Sequence, residues 1–62
     1  MNEKEFQERF SAFLKSRAWS RYRLWKESGI PQATSEQWMS GKKLPRGEYA
    51  RQAIIFWLEE NF

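Results

Sequence analysis

The sequence predicts a small all-α protein: one compact domain of four helices, or of five if a connection holds a short extra turn. Three observations support this fold class. Apolar residues recur at helical spacing near both ends of the chain, and no segment alternates in the manner of a strand. Glycine and proline interrupt the chain at residues 29–31 and 41–45, which leaves a helix-sized segment between them. A length of 62 residues is enough for a single domain, residues 1–62.

The first helix is predicted to run from about Glu3 to Arg17. Asn2 can cap it, and Glu5 stands where the acidic residue of a capping box belongs. Four apolar side chains fall on one stripe of this helix: Phe6, Phe10, Phe13 and Leu14. We interpret the stripe as core, the alternative being a docking face for another protein.

The second predicted helix follows a turn and has Ser20 as its N-cap. Leu24 and Trp25 are expected to point inward. Three basic side chains are expected to remain in water: Arg21, Arg23 and Lys26. Gly29 should end the helix as a left-handed C-cap.

The third predicted helix has Pro31 in its first turn, continues to about Ser40 and stops at Gly41. On a helical wheel one face holds Thr34, Ser35 and Trp38. The other face is mostly polar and holds Gln32, Ala33, Glu36, Gln37 and Ser40. A competing start exists, because Thr34 and Gln37 also match a capping box, which would shorten the helix to two turns.

The last predicted helix starts at Pro45, runs from near Arg46 to Asn61, and has Leu44 packed beneath it. Its core arc is expected to be Ala50, Ala53, Ile54 and Trp57. Because this helix is apolar on most sides, it should be buried from more than one direction. We expect a second subunit to cover the other side of this helix by contacting Ile55, Phe56, Leu58 and Phe62. The alternative is that the first helix covers both flanks.

The composition excludes several classes of function. The chain contains no cysteine and no histidine, so it can form neither a disulfide nor the usual Cys/His zinc site. Nucleophile–histidine catalysis is equally unavailable, and the acids form no obvious pair. We therefore expect no enzyme, catalytic residue, metal, cofactor or small-molecule ligand. The charged N-terminal segment does not resemble a signal peptide, and no apolar run approaches the length of a membrane span.

The positive charge is concentrated in the middle of the chain. Residues 15–46 carry eight basic and two acidic side chains, a net charge of +6, whereas residues 1–14 carry −1 and residues 47–62 carry −2. A basic centre is typical of proteins that bind a polyanion. The alternative is a solvated surface with an uneven charge distribution.

The second and third helices with the tight glycine turn between them predict a helix-turn-helix over about residues 21–40. In that motif the second helix enters the DNA major groove. Trp38 would anchor this helix and leave its polar face exposed. The positions flanking the motif suit phosphate contacts, which would come from Arg21, Arg23, Lys42, Lys43 and Arg46.

The segment RYRLWKESGIPQATSEQWMSGKKLP resembles the helix-turn-helix of phage Cro proteins and lambda-repressor-like regulators. The similarity lies in the spacing of Gly29-Ile30, Trp38, Gly41, Lys42-Lys43 and Pro45. It implies a lambda-repressor-like fold and a sequence-specific DNA-binding regulator that is commonly dimeric. Carried over from the family, the residues at base edges would be Gln32, Ala33, Glu36 and Gln37, with Ser40 peripheral.

Two positions depart from the family pattern. Trp25 stands where the family usually has alanine, and Ser35 where it usually has valine or isoleucine. Because the changes in size are opposite, one hypothesis is that the Trp25 ring fills space left by Ser35. The alternatives are a different interhelical angle or a later start of the third helix.

The expected function is transcriptional regulation in the cytoplasm of a bacterial or phage-infected cell, associated with the nucleoid. A homodimeric repressor would occupy a two-fold operator on double-stranded DNA and exclude other proteins. Two alternatives remain. One is a small phage-type inhibitor that binds a host protein through the apolar face around Ile55, Phe56 and Phe62. The other is an excisionase-like architectural protein that bends DNA.

Overall fold

The computed structural model describes residues 1–62 as four α-helices without a β-strand. The helices are α1 (Glu3–Arg17), α2 (Arg21–Ser28), α3 (Gln32–Ser40) and α4 (Glu48–Asn61). α1 packs against both α3 and α4, and α2 packs against α3. The predicted all-α domain of four helices is confirmed. None of these helices combines the length and the apolar character needed to cross a membrane.

The helix ends form where the sequence places its capping residues. The Asn2 side chain accepts a hydrogen bond from the Glu5 backbone N–H at 2.7 Å, and the Ser20 side chain accepts one from that of Arg23 at 3.1 Å. Gly29 and Gly41 end α2 and α3 with φ of +82° and +79°, a conformation that glycine adopts without strain. These predicted caps are therefore confirmed.

α3 begins at Gln32, with Pro31 as its N-cap. The backbone N–H of Ser35 donates to the Pro31 carbonyl at 3.0 Å, which closes the first helical turn. The competing start at Thr34 is therefore wrong. No side chain caps this end of the helix, and the fixed φ of proline, here −58°, prepares the chain for helix entry instead.

The core is formed by seven buried side chains: Phe6, Phe10, Phe13, Leu14, Leu24, Ile55 and Leu58. The four that α1 supplies are the predicted stripe, so that stripe is core and not an exposed docking face. Leu44 lies partly buried against this cluster, as expected.

α4 departs from the prediction in its start and in its buried face. It begins at Glu48, after Gly47, and not near Arg46. Its buried residues are Arg51, Ile55 and Leu58. Ala53 is exposed and Trp57 is 44% exposed, so the predicted core arc is wrong at both positions.

The burial of Ile55 and Leu58 also corrects the predicted dimer surface. Both side chains are 0% exposed within a single chain, because α4 turns them toward α1 and the shared core. A partner cannot contact either side chain unless the domain opens. Only Phe56 and Phe62 of that set retain exposed surface.

α2 carries one further correction. Leu24 is fully buried, as predicted, but Trp25 is 42% exposed. Its ring lies 5.8 Å from that of Tyr22, and the Lys26 ammonium lies 5.4 Å from its centroid. Consecutive helical residues are turned by roughly 100° from each other, so Leu24 and Trp25 cannot share one narrow buried stripe. Ser35 is fully buried, so the two departures from the family pattern lie in different environments, one inside and one at the surface.

Candidate nucleic-acid interface

Trp38 attaches α3 to the rest of the domain. Its ring meets the rings of Phe6 and Phe10 edge-on, at centroid distances of 5.5 and 5.3 Å. Edge-to-face aromatic pairs at this separation are favourable beyond the area they bury. The indole therefore points into the protein, as the sequence predicts, and fixes the rotation of α3 about its axis.

Gln7 forms a second attachment, which sequence reasoning missed. Its side-chain Nε2 donates a hydrogen bond of 2.8 Å to the carbonyl oxygen of Met39, near the C-terminal end of α3. The last carbonyls of a helix have no partner within the helix, so this bond satisfies one of them. A glutamine on an amphipathic helix gives no sequence signal that distinguishes such a tether from a solvated side chain.

The opposite face of α3 is exposed and polar. All five residues predicted at base edges lie on it: Gln32, Ala33, Glu36, Gln37 and Ser40. Four of them, together with Lys42, line a surface depression of about 270 Å³: Ala33, Glu36, Gln37 and Ser40. Gln32 is exposed at the first position of the helix and does not line the depression. The structure thus brings the predicted readout residues together on one surface.

The two predicted phosphate ligands on α2 are both engaged with carboxylates. Arg21 Nη1 lies 3.1 Å from Glu36 Oε2, which joins the start of α2 to the exposed face of α3. Arg23 Nε lies 3.7 Å from Glu27 Oε1 within α2, and its guanidinium is 5.3 Å from the Trp19 ring centroid. Both arginines are exposed, but in the free protein their charges are partly neutralised.

The other three predicted phosphate ligands have unneutralised charges. Lys42, Lys43 and Arg46 lie in the connection between α3 and α4, are exposed, and form no salt bridge. Arg51, the buried arginine of α4, donates from Nη1 to the Pro45 carbonyl at 2.7 Å and from Nε to the Met1 carbonyl at 2.9 Å. The hydrogen bond to Pro45 therefore attaches the basic connection, residues 42–46, to α4.

A second exposed surface lies on α4. Tyr49 is 88% exposed, Phe56 46% and Trp57 44%. Phe62 is half-buried, with its ring 5.6 Å from those of Trp19 and Trp57. Of the residues predicted to contact a twin subunit, Phe56 thus remains the best placed.

Comparison of the chain with protein-family models, with curated proteins and with solved structures found no match.

Proposed function

We propose that the chain is a sequence-specific regulator that binds double-stranded DNA through a helix-turn-helix formed by α2 and α3. The observation that carries the proposal is the two-sided character of α3. Trp38 holds one side against Phe6 and Phe10, and the other side offers exposed glutamine and glutamate side chains. A rigidly held helix with such a face fits the role of a recognition helix in the major groove.

The chemistry of this face suits base readout. A glutamine amide can both donate to and accept from adenine, at N7 and N6, which fits Gln32 and Gln37. A glutamate carboxylate accepts from cytosine N4, which fits Glu36, and the methyl group of Ala33 can contact the thymine methyl. Ser40 lies at the far end of the face and is peripheral in this arrangement.

Phosphate binding is proposed for the basic connection after α3. Lys42, Lys43 and Arg46 carry no carboxylate partner that DNA must displace. They follow the recognition helix directly, where the backbone of a bound duplex would pass. Phosphate contacts fix the register of the protein on DNA, while base-edge contacts select the sequence.

As a regulator the chain would act as a homodimeric repressor by occlusion. Two recognition helices about 34 Å apart would enter successive major grooves of a two-fold operator. The subunit contact would use Phe56 and its exposed neighbours on α4, since Ile55 and Leu58 are occupied in the core.

The decisive experiment is selection of bound sequences from random duplexes, followed by titration of single-base variants with Gln32→Ala and Lys43→Ala. Gln32→Ala should cost about 1–3 kcal/mol on the preferred site and relax specificity at one or two positions. Lys43→Ala should weaken every sequence by a similar factor, because phosphates carry no sequence information. If both variants weaken all duplexes equally, α3 does not read bases. If the wild-type chain binds no duplex at low salt, the proposal fails.

A second candidate function is suggested by the aromatic surface of α4, which could bind a different protein. Three large aromatic side chains of α4 are exposed, and exposed apolar surface often marks a protein contact. Sedimentation over a concentration series separates the two uses of this surface. Self-association of the chain alone supports the homodimer. A chain that stays monomeric, with or without DNA, favours a foreign partner.

A further inference from the structure

The ion pair between Arg21 and Glu36 is the one salt bridge that joins the two helices of the proposed helix-turn-helix. The arginine is the first residue of α2, and the glutamate lies in the middle of α3 on the wall of the surface depression. The side chains are 46% and 67% exposed. Exposed pairs contribute little to folding stability, so stability does not explain why this pair bridges the readout face.

Glu36 forms no other salt bridge. Its neighbours one turn away on α3 are uncharged: Gln32, Ala33, Met39 and Ser40. A lone carboxylate on a surface that approaches phosphates would be repelled, and its flexible side chain would turn away from the duplex. The guanidinium of Arg21 partly neutralises that charge and, with Nη1 3.1 Å from Glu36 Oε2, favours one orientation of the carboxylate.

Arg21 is also poorly placed for its own helix. A cation in the first turn of a helix opposes the helix dipole, whose positive end lies there. α2 has no acidic residue in that turn to offset it. The carboxylate that partly neutralises the charge of Arg21 belongs to Glu36 of α3. The one favourable charge contact of this arginine is therefore with the proposed readout face.

We propose that Arg21 is a positioning residue for Glu36, so that the pair acts as one unit in selecting a cytosine-containing base pair. This inference rests on the proposed DNA-binding function and changes the role of Arg21 within it. A simple phosphate ligand affects all sequences alike, whereas a positioning residue affects one base position. Glu36 accepts from cytosine N4 with one carboxylate oxygen while Arg21 holds the other.

The experiment compares the wild-type chain with Arg21→Ala, Glu36→Ala and the double variant on duplexes that differ at one position at a time. Both single variants should reduce the preference for cytosine at the same position. The expected loss of discrimination is about 5-fold to 150-fold, the range for a well-formed base contact. The double variant should lose no more discrimination there than either single variant, because the two residues act as a unit.

Arg23→Ala is the matched control. Arg23 is also an exposed arginine in the first turn of α2, but its carboxylate partner, Glu27, lies in its own helix. Its removal should leave the preferred base at every position unchanged, because its partner Glu27 does not lie on α3. Circular dichroism of each variant confirms that the helices are retained, as expected for substitutions at exposed positions.

Exchange of the pair supplies a gain-of-function test. Arg21→Glu combined with Glu36→Arg keeps the ion pair and places the guanidinium on α3. Arginine donates to guanine O6 and N7, so the preference at that position should move from cytosine to guanine.

The outcomes separate the inference from the function on which it rests. If Arg21→Ala weakens every duplex by the same factor while Glu36→Ala alters the preference at one position, the positioning role is wrong and DNA binding stands. A preference unchanged by Glu36→Ala also overturns the inference, because alanine cannot accept a hydrogen bond from cytosine N4. A wild-type chain that ignores duplex DNA at low salt overturns both.

Discussion

Single residues decide how firmly the proposed recognition helix is held at its C-terminal end. Gly41 ends α3 with φ of +79°, and a Cβ atom at this position would lie 3.1 Å from Oε1 of Gln7. The same Gln7 amide donates to the Met39 carbonyl. Gly41 therefore supplies both a left-handed conformation and the space in which the tether from α1 fits.

Gly41→Ala should destabilise the domain more than Gly29→Ala, as measured by urea unfolding. Both glycines have a positive φ, so either substitution carries a backbone strain of about 1 kcal/mol or more. Only at Gly41 does the added methyl group meet the Gln7 amide, whose hydrogen bond is worth about 1 kcal/mol, whereas nothing lies within 4 Å at Gly29. In a Gln7→Ala background the two alanine variants should lose similar stability. If Gly41→Ala and Gly29→Ala lose equal stability in the wild-type background, the Gln7–Met39 hydrogen bond does not hold α3 as described.

The hydrogen bonds of Arg51 and Gln7 are contacts that the sequence could not predict. Asn2, Ser20 and Gly29 were predictable because capping depends on a residue and its immediate neighbours in the chain. The partners of Arg51 and Gln7 are backbone carbonyls 50, 6 and 32 residues away, at Met1, Pro45 and Met39. Side-chain bonds to distant carbonyls leave no local pattern, and a buried arginine resembles a surface charge in the sequence.

At the scale of the helices, the contrast between α1 and α4 explains which faces could be predicted. In α1 the core residues recur at positions 6, 10, 13 and 14 and most other residues are charged or polar, so a single stripe satisfies the helical period. In α4 the run AIIFWL is apolar in every direction, and the period alone selects no stripe. The observed stripe passes through Arg51, Ile55 and Leu58, so its first member is a residue that hydropathy places outside. The polar face of α3 was predictable because Trp38 is the one large aromatic residue of this helix. Its position fixes which side of the helix is buried and therefore which side is exposed.

Removal of the Trp38 side chain should affect α3 far more than removal of an exposed indole. Trp38→Ala deletes a ring that contacts both Phe6 and Phe10, and such truncations cost about 3–5 kcal/mol. That is comparable to the whole stability available to a domain of this size. Thermal unfolding monitored by circular dichroism should show a broad transition or none. Trp25→Ala is the control: this indole is 42% exposed, so its variant should unfold cooperatively. Similar losses from both substitutions would show that Trp38 is not the anchor.

At the scale of the whole molecule, the pairing of charges matters more than their number. The chain carries eleven basic side chains and a net charge of +3. Three of the arginines already form salt bridges with glutamates of the same chain: Arg9, Arg21 and Arg23. Lys42, Lys43 and Arg46 form no salt bridge and all lie in the one connection that follows α3, the proposed recognition helix. Electrostatic affinity for DNA should therefore come from a narrow part of the surface.

This concentration of charge predicts the salt dependence of DNA binding. Three phosphate contacts per subunit should give a slope of log affinity against log salt of about −2.7, and so a loss of about 40-fold per subunit between about 50 and 200 mM salt. Lys43→Ala should reduce the steepness by about 0.9, because one fewer counterion is released. Arg9→Ala removes an equal charge that is paired with Glu59, away from the basic connection, and should leave the slope unchanged. Equal changes in slope for the two variants would mean that DNA responds to net charge alone, with no local phosphate site.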